Sequence, residues 1–131
     1  MTETGVTAPI TGFSHVQLLV RDVPTSEDWY TRVLGLERMV AAEDDSYVAL
    51  WHRPSRVVLV LTPRDRDAGD GSPLDHLAFA VPDGPTLEAW AARLTERGIE
   101  HPGVVLELGK PSLVLADPDG NHIELVAPPG T

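Results

Sequence analysis

FSHVQLLVRDVPTSEDWYTRVLGLE, residues 13–37, and LDHLAFAVPDGPTLEAWAARLTERGIE, residues 74–100, are two versions of one pattern. A shift of 61 positions aligns identical residues: His15 with His76, Val20 with Val81, Asp22 with Asp83, Thr25 with Thr86, Trp29 with Trp90 and Arg32 with Arg93. Identical residues at one fixed spacing indicate an internal repeat of a single supersecondary unit. The repeat decides the fold.

Each copy of the repeat predicts a strand, a turn and a helix. Residues 13–20 and 76–81 are rich in apolar residues, which is typical of strands with one buried face. Helices follow at 26–34 and 87–97, with N-terminal caps from Thr25, which forms a capping-box pattern with Asp28, and from Thr86. Gly35 and Gly98 lie where a left-handed residue ends a helix.

Three further strands are predicted after each helix, at 37–42, 46–52 and 56–62 and at 103–108, 112–116 and 121–127. The turns RPS, GKP and DPDG separate them. We therefore expect an α+β fold of two βαβββ modules in tandem, forming a curved mixed sheet around a cup-shaped metal or ligand cavity. The predicted organisation is a flexible arm at 1–12 and a single domain at 13–128, with module one at 13–62, a polar linker at 63–73 and module two at 74–128.

Composition and charge narrow the class of protein. The chain has 131 residues, 42% hydrophobic residues and no cysteine, and its formal net charge is −10. We expect one globular domain without disulfides, located in the cytoplasm. Nucleic acid is not an expected partner because its binding needs clustered Lys and Arg. A membrane is not expected either, because no apolar run approaches the ~18 residues of a membrane span.

Three side chains could bind a metal ion. His15 and His76 occupy equivalent positions in the first strand of each module, and Glu124 lies in the last strand of the second, within DPDGNHIELV (117–126). If the two sheets face each other, these side chains converge. Two imidazoles and one carboxylate with open positions suit Fe(II), Mn(II), Ni(II) or Zn(II).

The sequence resembles the vicinal oxygen chelate superfamily, which includes glyoxalases, bleomycin-resistance proteins, fosfomycin-resistance enzymes and extradiol dioxygenases. The resemblance rests on SHVQLLVRDVPTSEDWYTRVLGLE, LDHLAFAVPD and LADPDGNHIELVAP, and it covers residues 13–128. It implies paired βαβββ modules and common dimers with shared sites, so that a homodimer is expected. It also implies that a divalent metal ion is bound at positions matching His15, His76 and Glu124.

The chain departs from several of these relatives. Glyoxalase I enzymes use a fourth ligand on the last strand of the first module, where this chain has Leu59 or Val60. Fosfomycin-resistance enzymes carry a hydroxyl where this chain has Gln17, and they use a C-terminal basic segment after the position that matches Glu124, where we expect no equivalent in this sequence. Lys110 and Arg53 are the only cations that could replace that segment.

The remaining candidate site residues follow from the resemblance and from the alternation of side chains along the strands. Extradiol dioxygenases need an acid or base near the metal, and His122, Tyr47, His52 and His101 are the candidates. Alternation along the strands places Gln17, Ser112 and Val114 at the substrate, together with Ala78 and Ala80. Lys110 could attract an anionic substrate from the rim, or it could be an ordinary solvated loop residue.

These residues predict a metal-dependent enzyme that chelates two adjacent oxygens of a small organic substrate. Ring-cleaving dioxygenase chemistry with Fe(II) is favoured, because three protein ligands leave three open positions on an octahedral ion. Lyase or isomerase chemistry with Zn, Ni or Mn is the alternative. A metal-free protein that sequesters a drug or ligand, as bleomycin-resistance proteins do, also remains open, as does a scaffold whose triad is vestigial.

Overall fold

The two halves of the chain have the same order of elements. The computed structural model describes residues 13–44, 46–64, 74 and 76–131. The first half contains β1 (Val16–Val20), α1 (Val23–Leu34), β2 (Glu37–Ala41), β3 (Val48–His52) and β4 (Val57–Pro63). The second half contains β5 (His76–Ala80), α2 (Gly84–Glu96), β6 (Val105–Glu107), β7 (Lys110–Ala116) and β8 (His122–Val126). The tandem βαβββ prediction is confirmed, while the arm at 1–12 and linker residues 65–73 lie outside the described residues.

Each module forms its own four-stranded mixed sheet. The strand orders are β1-β4-β3-β2 and β5-β8-β7-β6. In both sheets the first strand is parallel to the last strand of its module, and the other pairs are antiparallel. β1, which directly follows His15, and β5, which begins at His76, are therefore edge strands. A cup-shaped cavity bounded by both sheets stays a prediction.

Both helices begin three residues earlier than predicted, and their caps are aspartates. Asp22 accepts a hydrogen bond from the Thr25 backbone N–H at 3.0 Å, and Asp83 accepts one from the Thr86 N–H at 2.8 Å. The hydroxyls and backbone N–H groups of these threonines hold the pKa of both carboxyls below the usual value. The predicted threonine caps are wrong, because each threonine is the donor to the cap rather than the cap itself.

Several strand boundaries also differ from the prediction, and two of them bear on the site. β1 begins at Val16, so His15 directly precedes the strand. β7 begins at Lys110 and not at residue 112, because Leu108 and Gly109 make the hairpin turn with φ angles of 51° and 77°. GKP is therefore not the break between β6 and β7.

One face of each sheet packs into a hydrophobic core that the two modules share. Leu18 and Val20 of β1 and Ile123 and Leu125 of β8 belong to this single buried cluster, as does Leu87 of α2. The opposite face of each sheet is open, and the candidate ligands lie there. No described helix is long and apolar enough to cross a membrane.

Candidate metal and substrate site

His76 and Glu124 meet on the open face of the second sheet. β5 and β8 are parallel neighbours, with His76 opposite His122 and Ala78 opposite Glu124. Residues directly opposite each other project from the same face, so His76, His122 and Glu124 share one surface. The His76 Nε2 and Glu124 Oε2 atoms lie 3.9 Å apart. The structure thus brings together two of the three predicted ligands.

Alternation along β8 explains why an acid is compatible with an apolar strand. Ile123 is fully buried and Leu125 is 3% exposed, while the Glu124 side chain between them is 16% exposed on the open face. The apolar neighbours fix the strand in the core and thereby fix the direction of the carboxylate. Such partial desolvation makes a nearby cation a favourable partner.

The turn before β8 is held by a buried carboxylate. Asp117 is 6% exposed and accepts hydrogen bonds from the Asn121 N–H at 2.7 Å, the Asn121 side-chain amide at 3.0 Å and the Asp119 N–H at 2.9 Å. The hydroxyl of Tyr30, a buried residue of α1, donates to the other module's Asp117 at 2.8 Å. Burial, and then the charge of Asp117, raise the pKa of Tyr30 well above its usual range.

A second contact joins the modules at the same turn. Arg21 follows β1, and its side chain donates to the carboxylate of Asp119 at 3.0 Å and to the Pro118 carbonyl at 3.1 Å. Its backbone N–H also donates to Asp119, at 2.9 Å. The end of β1 and the start of β8 are therefore fixed relative to each other within one chain.

His15 does not join the pair. His15 and His76 both line a cavity of about 940 Å³ between the modules. Glu124 does not line that cavity. In the described ranges, no three His, Asp or Glu side chains are grouped closely enough to hold one ion. Among the described residues of a single copy, two of the three candidate ligands, His76 and Glu124, thus form a close pair without His15.

The pair itself is compatible with a shared metal ion. Ligating nitrogen and oxygen atoms lie about 2.0–2.2 Å from such an ion, so two ligands of one ion are no more than about 4.3 Å apart. The 3.9 Å separation between His76 and Glu124 falls within that limit. Imidazole and carboxylate are also donor types that Fe(II), Mn(II), Ni(II) and Zn(II) accept.

A cavity of about 720 Å³ adjoins the pair. Its lining includes His76, Glu124, Lys110 and Ser112. Ser112 is 2% exposed, and its hydroxyl donates to the Lys110 carbonyl at 3.2 Å. Val114 lies opposite Glu124 on the neighbouring strand. Gln17 is on the first sheet instead, where its amide donates to the Thr62 hydroxyl at 3.2 Å.

The strand register identifies the position equivalent to Glu124 in the first module. Gln17 aligns with Ala78 in the repeat, and Val60 lies opposite Gln17 just as Glu124 lies opposite Ala78. Leu59 points into the core and is 1% exposed. Val60 therefore replaces the acid, so the second sheet alone contributes a carboxylate at this position.

The acid–base candidates are in different places. His122 is exposed beside His76 on the neighbouring strand. His52 lines the cavity between the modules, where its Nδ1 atom is 2.7 Å from the Ser55 hydroxyl. Tyr47 is 38% exposed and lines neither cavity. His101 has a structural role, because its ring bonds the Ala91 carbonyl and the Gly103 N–H after α2.

Two functional features escaped the sequence interpretation. The Tyr30–Asp117 contact joins residues far apart in the chain, and no short-range pattern reveals such a pair. The second feature is Leu108, which is 99% exposed and lines the 720 Å³ cavity. The sequence does contain a signal for it, because the neighbouring Gly109 favours a two-residue hairpin turn.

Comparisons with known proteins agree with this architecture. Residues 12–125 match the model of the Glyoxalase/Bleomycin resistance protein/Dioxygenase superfamily. The chain belongs to this superfamily. It is 31% identical to a catechol-2,3-dioxygenase of Bacillus subtilis (strain 168) over 125 residues, which cover 89% of this chain and 41% of that protein. The chain spans about two fifths of the length of the curated relatives it matches.

Solved structures show the same fold. A glyoxylase/bleomycin resistance protein/dioxygenase domain from Frankia sp. EAN1pec superposes with a TM-score of 0.76 at 28% identity, covering 91% of this chain and 98% of that one. A lactoylglutathione lyase from Agrobacterium tumefaciens gives a TM-score of 0.76 at 21% identity, covering 92% and 96%. Both solved structures therefore share the fold of this chain.

Proposed function

We propose that the chain is a metal-dependent enzyme. His76 and Glu124, with His15 as the third ligand, would hold a metal ion, and that ion would bind two adjacent oxygens of a small organic substrate. The observation that carries this proposal is the 3.9 Å approach of the His76 imidazole to the Glu124 carboxylate on an open sheet face. A ring-cleaving dioxygenase using Fe(II) is the favoured activity. The likeness to a catechol-2,3-dioxygenase supports it, and a lyase or isomerase using Zn, Ni or Mn is the alternative.

The protein residues would divide the work as follows. His15, His76 and Glu124 would hold the divalent ion. When bound, that ion supplies a Lewis acid that stabilises negative charge on the chelated oxygens. His122 would accept the proton of a substrate hydroxyl, because it lies next to His76 on the same face. Val114 and Ser112 would bound the substrate on one side and Gln17 on the other, with His52 and Tyr47 as further acid–base candidates.

We propose that the third ligand comes from a second copy of the chain. In one copy, Tyr30–Asp117 and Arg21–Asp119 hold the modules together, and no group of three possible ligands forms among the described residues. The open face and edge of the first sheet carry exposed apolar side chains, including Leu19 at 52% and Val40 at 46% exposure. A homodimer that places this face against the second sheet of its partner would cover them and complete the triad.

Mixing two defective variants tests the shared site. His15→Ala and His76→Ala chains should each lose stoichiometric metal. If the site is shared, a mixed dimer has one site with all three ligands and one with neither histidine. Random mixing after unfolding and refolding makes half of the dimers mixed, so the mixture should recover about a quarter of the wild-type metal content. No recovery would contradict a shared site, and retention of metal by either variant alone would contradict the triad.

A ligand-sequestering protein is the second candidate function. The 940 Å³ cavity between the modules supports it, because apolar side chains such as Leu36, Phe79 and Trp90 form much of its wall. Sequestration predicts that Glu124→Gln, at a residue outside that cavity, binds the ligand as tightly as the wild type does, in the presence of a chelator. The enzyme proposal predicts that the chelator and Glu124→Gln each abolish substrate turnover.

A further inference from the structure

Lys110 is the only lysine of the chain, and every other basic side chain is an arginine. Its side chain lines the 720 Å³ cavity together with His76 and Glu124. Four arginines are engaged in ion pairs with carboxylates, namely Arg21, Arg32, Arg38 and Arg53. Lys110 makes no ion pair within the part of the chain that the structure describes. The cavity therefore has one cation that is not neutralised by a described carboxylate.

The hairpin that carries Lys110 has an unfavourable conformation. Leu108 has a φ angle of 51°, in the left-handed region that disfavours residues with a Cβ atom, and its side chain is 99% exposed. Asn, Asp or Gly would suit this turn position better. Leu108 and Lys110 line the same cavity, so the strained turn puts an apolar side chain and a cation together at its rim. Backbone strain of this kind is often kept where it serves a site.

Other charges in the cavity do not oppose an anionic ligand once the metal is bound. Glu107 and Glu124 are the acids of the lining, and Lys110 is its lysine. The two positive charges of a divalent ion at His76 and Glu124 offset the negative charges of the Glu107 and Glu124 carboxylates. The ammonium group of Lys110 then leaves the cavity with a net positive charge. Apolar residues complete the wall, among them Val126 and Pro128. The combination fits a flat apolar ring with an anionic substituent.

We infer that Lys110 is a specificity-determining residue that selects aromatic substrates carrying a carboxylate in addition to two adjacent hydroxyls. The inference rests on the proposed function, because the metal ion at His76 and Glu124 must bind the adjacent oxygens while Lys110 binds the carboxylate. Lysine suits this role as a compact point charge on a flexible stem. Leu108, which lines the same cavity, would contact the ring.

Two ligands that differ only in charge test the inference. 3,4-Dihydroxybenzoate and 3,4-dihydroxybenzamide have the same adjacent hydroxyls, but only the benzoate is anionic. Isothermal titration of the full chain loaded with Zn(II), at low ionic strength, should show about fivefold tighter binding of the benzoate, as for an exposed ion pair. Lys110→Met should remove this preference, so that the two ligands bind with equal affinity, and Lys110→Arg should retain most of the preference.

A second readout follows Lys110 directly. Reductive methylation with ¹³C-formaldehyde labels the chain at one side-chain amine and at the α-amine, since there is a single lysine. The benzoate should shift the side-chain resonance and the benzamide should not. Arg32→Met is the matched control, because it removes one positive charge from α1, outside both cavities. It should keep the preference for the benzoate.

The outcomes separate this inference from the proposed function. Equal affinity of the wild type for both ligands, or a preference that survives in Lys110→Met, would overturn the role of Lys110 while the chelating site stands. Failure of the loaded wild type to bind either ligand would overturn both. A preference lost equally in Arg32→Met would show a general effect of net charge and would also overturn the inference.

Discussion

The hydroxyl of Tyr30 is expected to contribute substantially to stability, because it joins the two modules. The side chain is fully buried, and the hydroxyl donates to the Asp117 carboxylate at 2.8 Å. A hydrogen bond to a charged group contributes about 1.5–3 kcal/mol. Asp117 keeps its donors from Asn121 and Asp119 when the hydroxyl is removed, so the lower part of that range applies. Tyr30→Phe should therefore lower the free energy of unfolding by about 1.5–2 kcal/mol.

Urea unfolding at pH 7 and one fixed protein concentration measures this difference, and a parallel thermal scan should show a Tm lower by about 5–10 °C. Tyr47→Phe is the matched control. Its side chain is partly exposed, and its hydroxyl makes no hydrogen bond among the described residues, so a change within about 0.5 kcal/mol is expected. If Tyr30→Phe is as stable as Tyr47→Phe, the Tyr30–Asp117 contact does not hold the modules together.

The same structure predicts three further results. Burial raises the pKa of Tyr30 above its unfolded value of 10.0. The contribution of its hydroxyl to stability is therefore fully present below pH 10 and is lost at higher pH. The difference in free energy of unfolding between wild type and Tyr30→Phe should shrink when unfolding is measured from pH 9 to 11. Leu108→Asn should raise the free energy of unfolding by about 1 kcal/mol in urea, because Asn tolerates a positive φ; no gain would contradict strain at this turn. Val60→Glu should lower the stability of metal-free protein by about 1–3 kcal/mol by placing a carboxylate on a half-buried strand. Zn(II) should raise the Tm of that variant more than it raises the Tm of the wild type; equal shifts would contradict the equivalence of Val60 and Glu124.

The repeat made the fold predictable, but the starts of the helices depend on a further signal, the position of the prolines. Asp22 and Thr25 are both acceptable cap residues three positions apart, as are Asp83 and Thr86. Pro24 and Pro85 distinguish between them, because proline is favoured in the first turn of a helix. A helix that includes these prolines in its first turn must be capped by the aspartates.

The sequence named candidate site residues one at a time, but it did not show how they come together. The repeat pointed to His15 and His76, and alternation around Glu124 predicted that this acid and His122 share a face, as the register of β5 and β8 shows. Which module faces which depends on contacts between distant residues, such as Tyr30 with Asp117. The periodicity of hydrophobic residues shows which side chains share a face of one strand or helix, and it gives no information on contacts between distant residues. The choice between Leu59 and Val60 likewise required the register of β1 and β4.

Metal content is the measurement that tests the central claim most directly. Untagged wild-type protein, reconstituted with Fe(II) under anaerobic conditions and desalted, should hold about one ion per chain by elemental analysis. His76→Ala and Glu124→Gln should lose it, while Tyr47→Phe should retain it. Wild-type protein that binds no metal after reconstitution, or a His76→Ala variant that binds as much as the wild type, would contradict a metal site at His76 and Glu124.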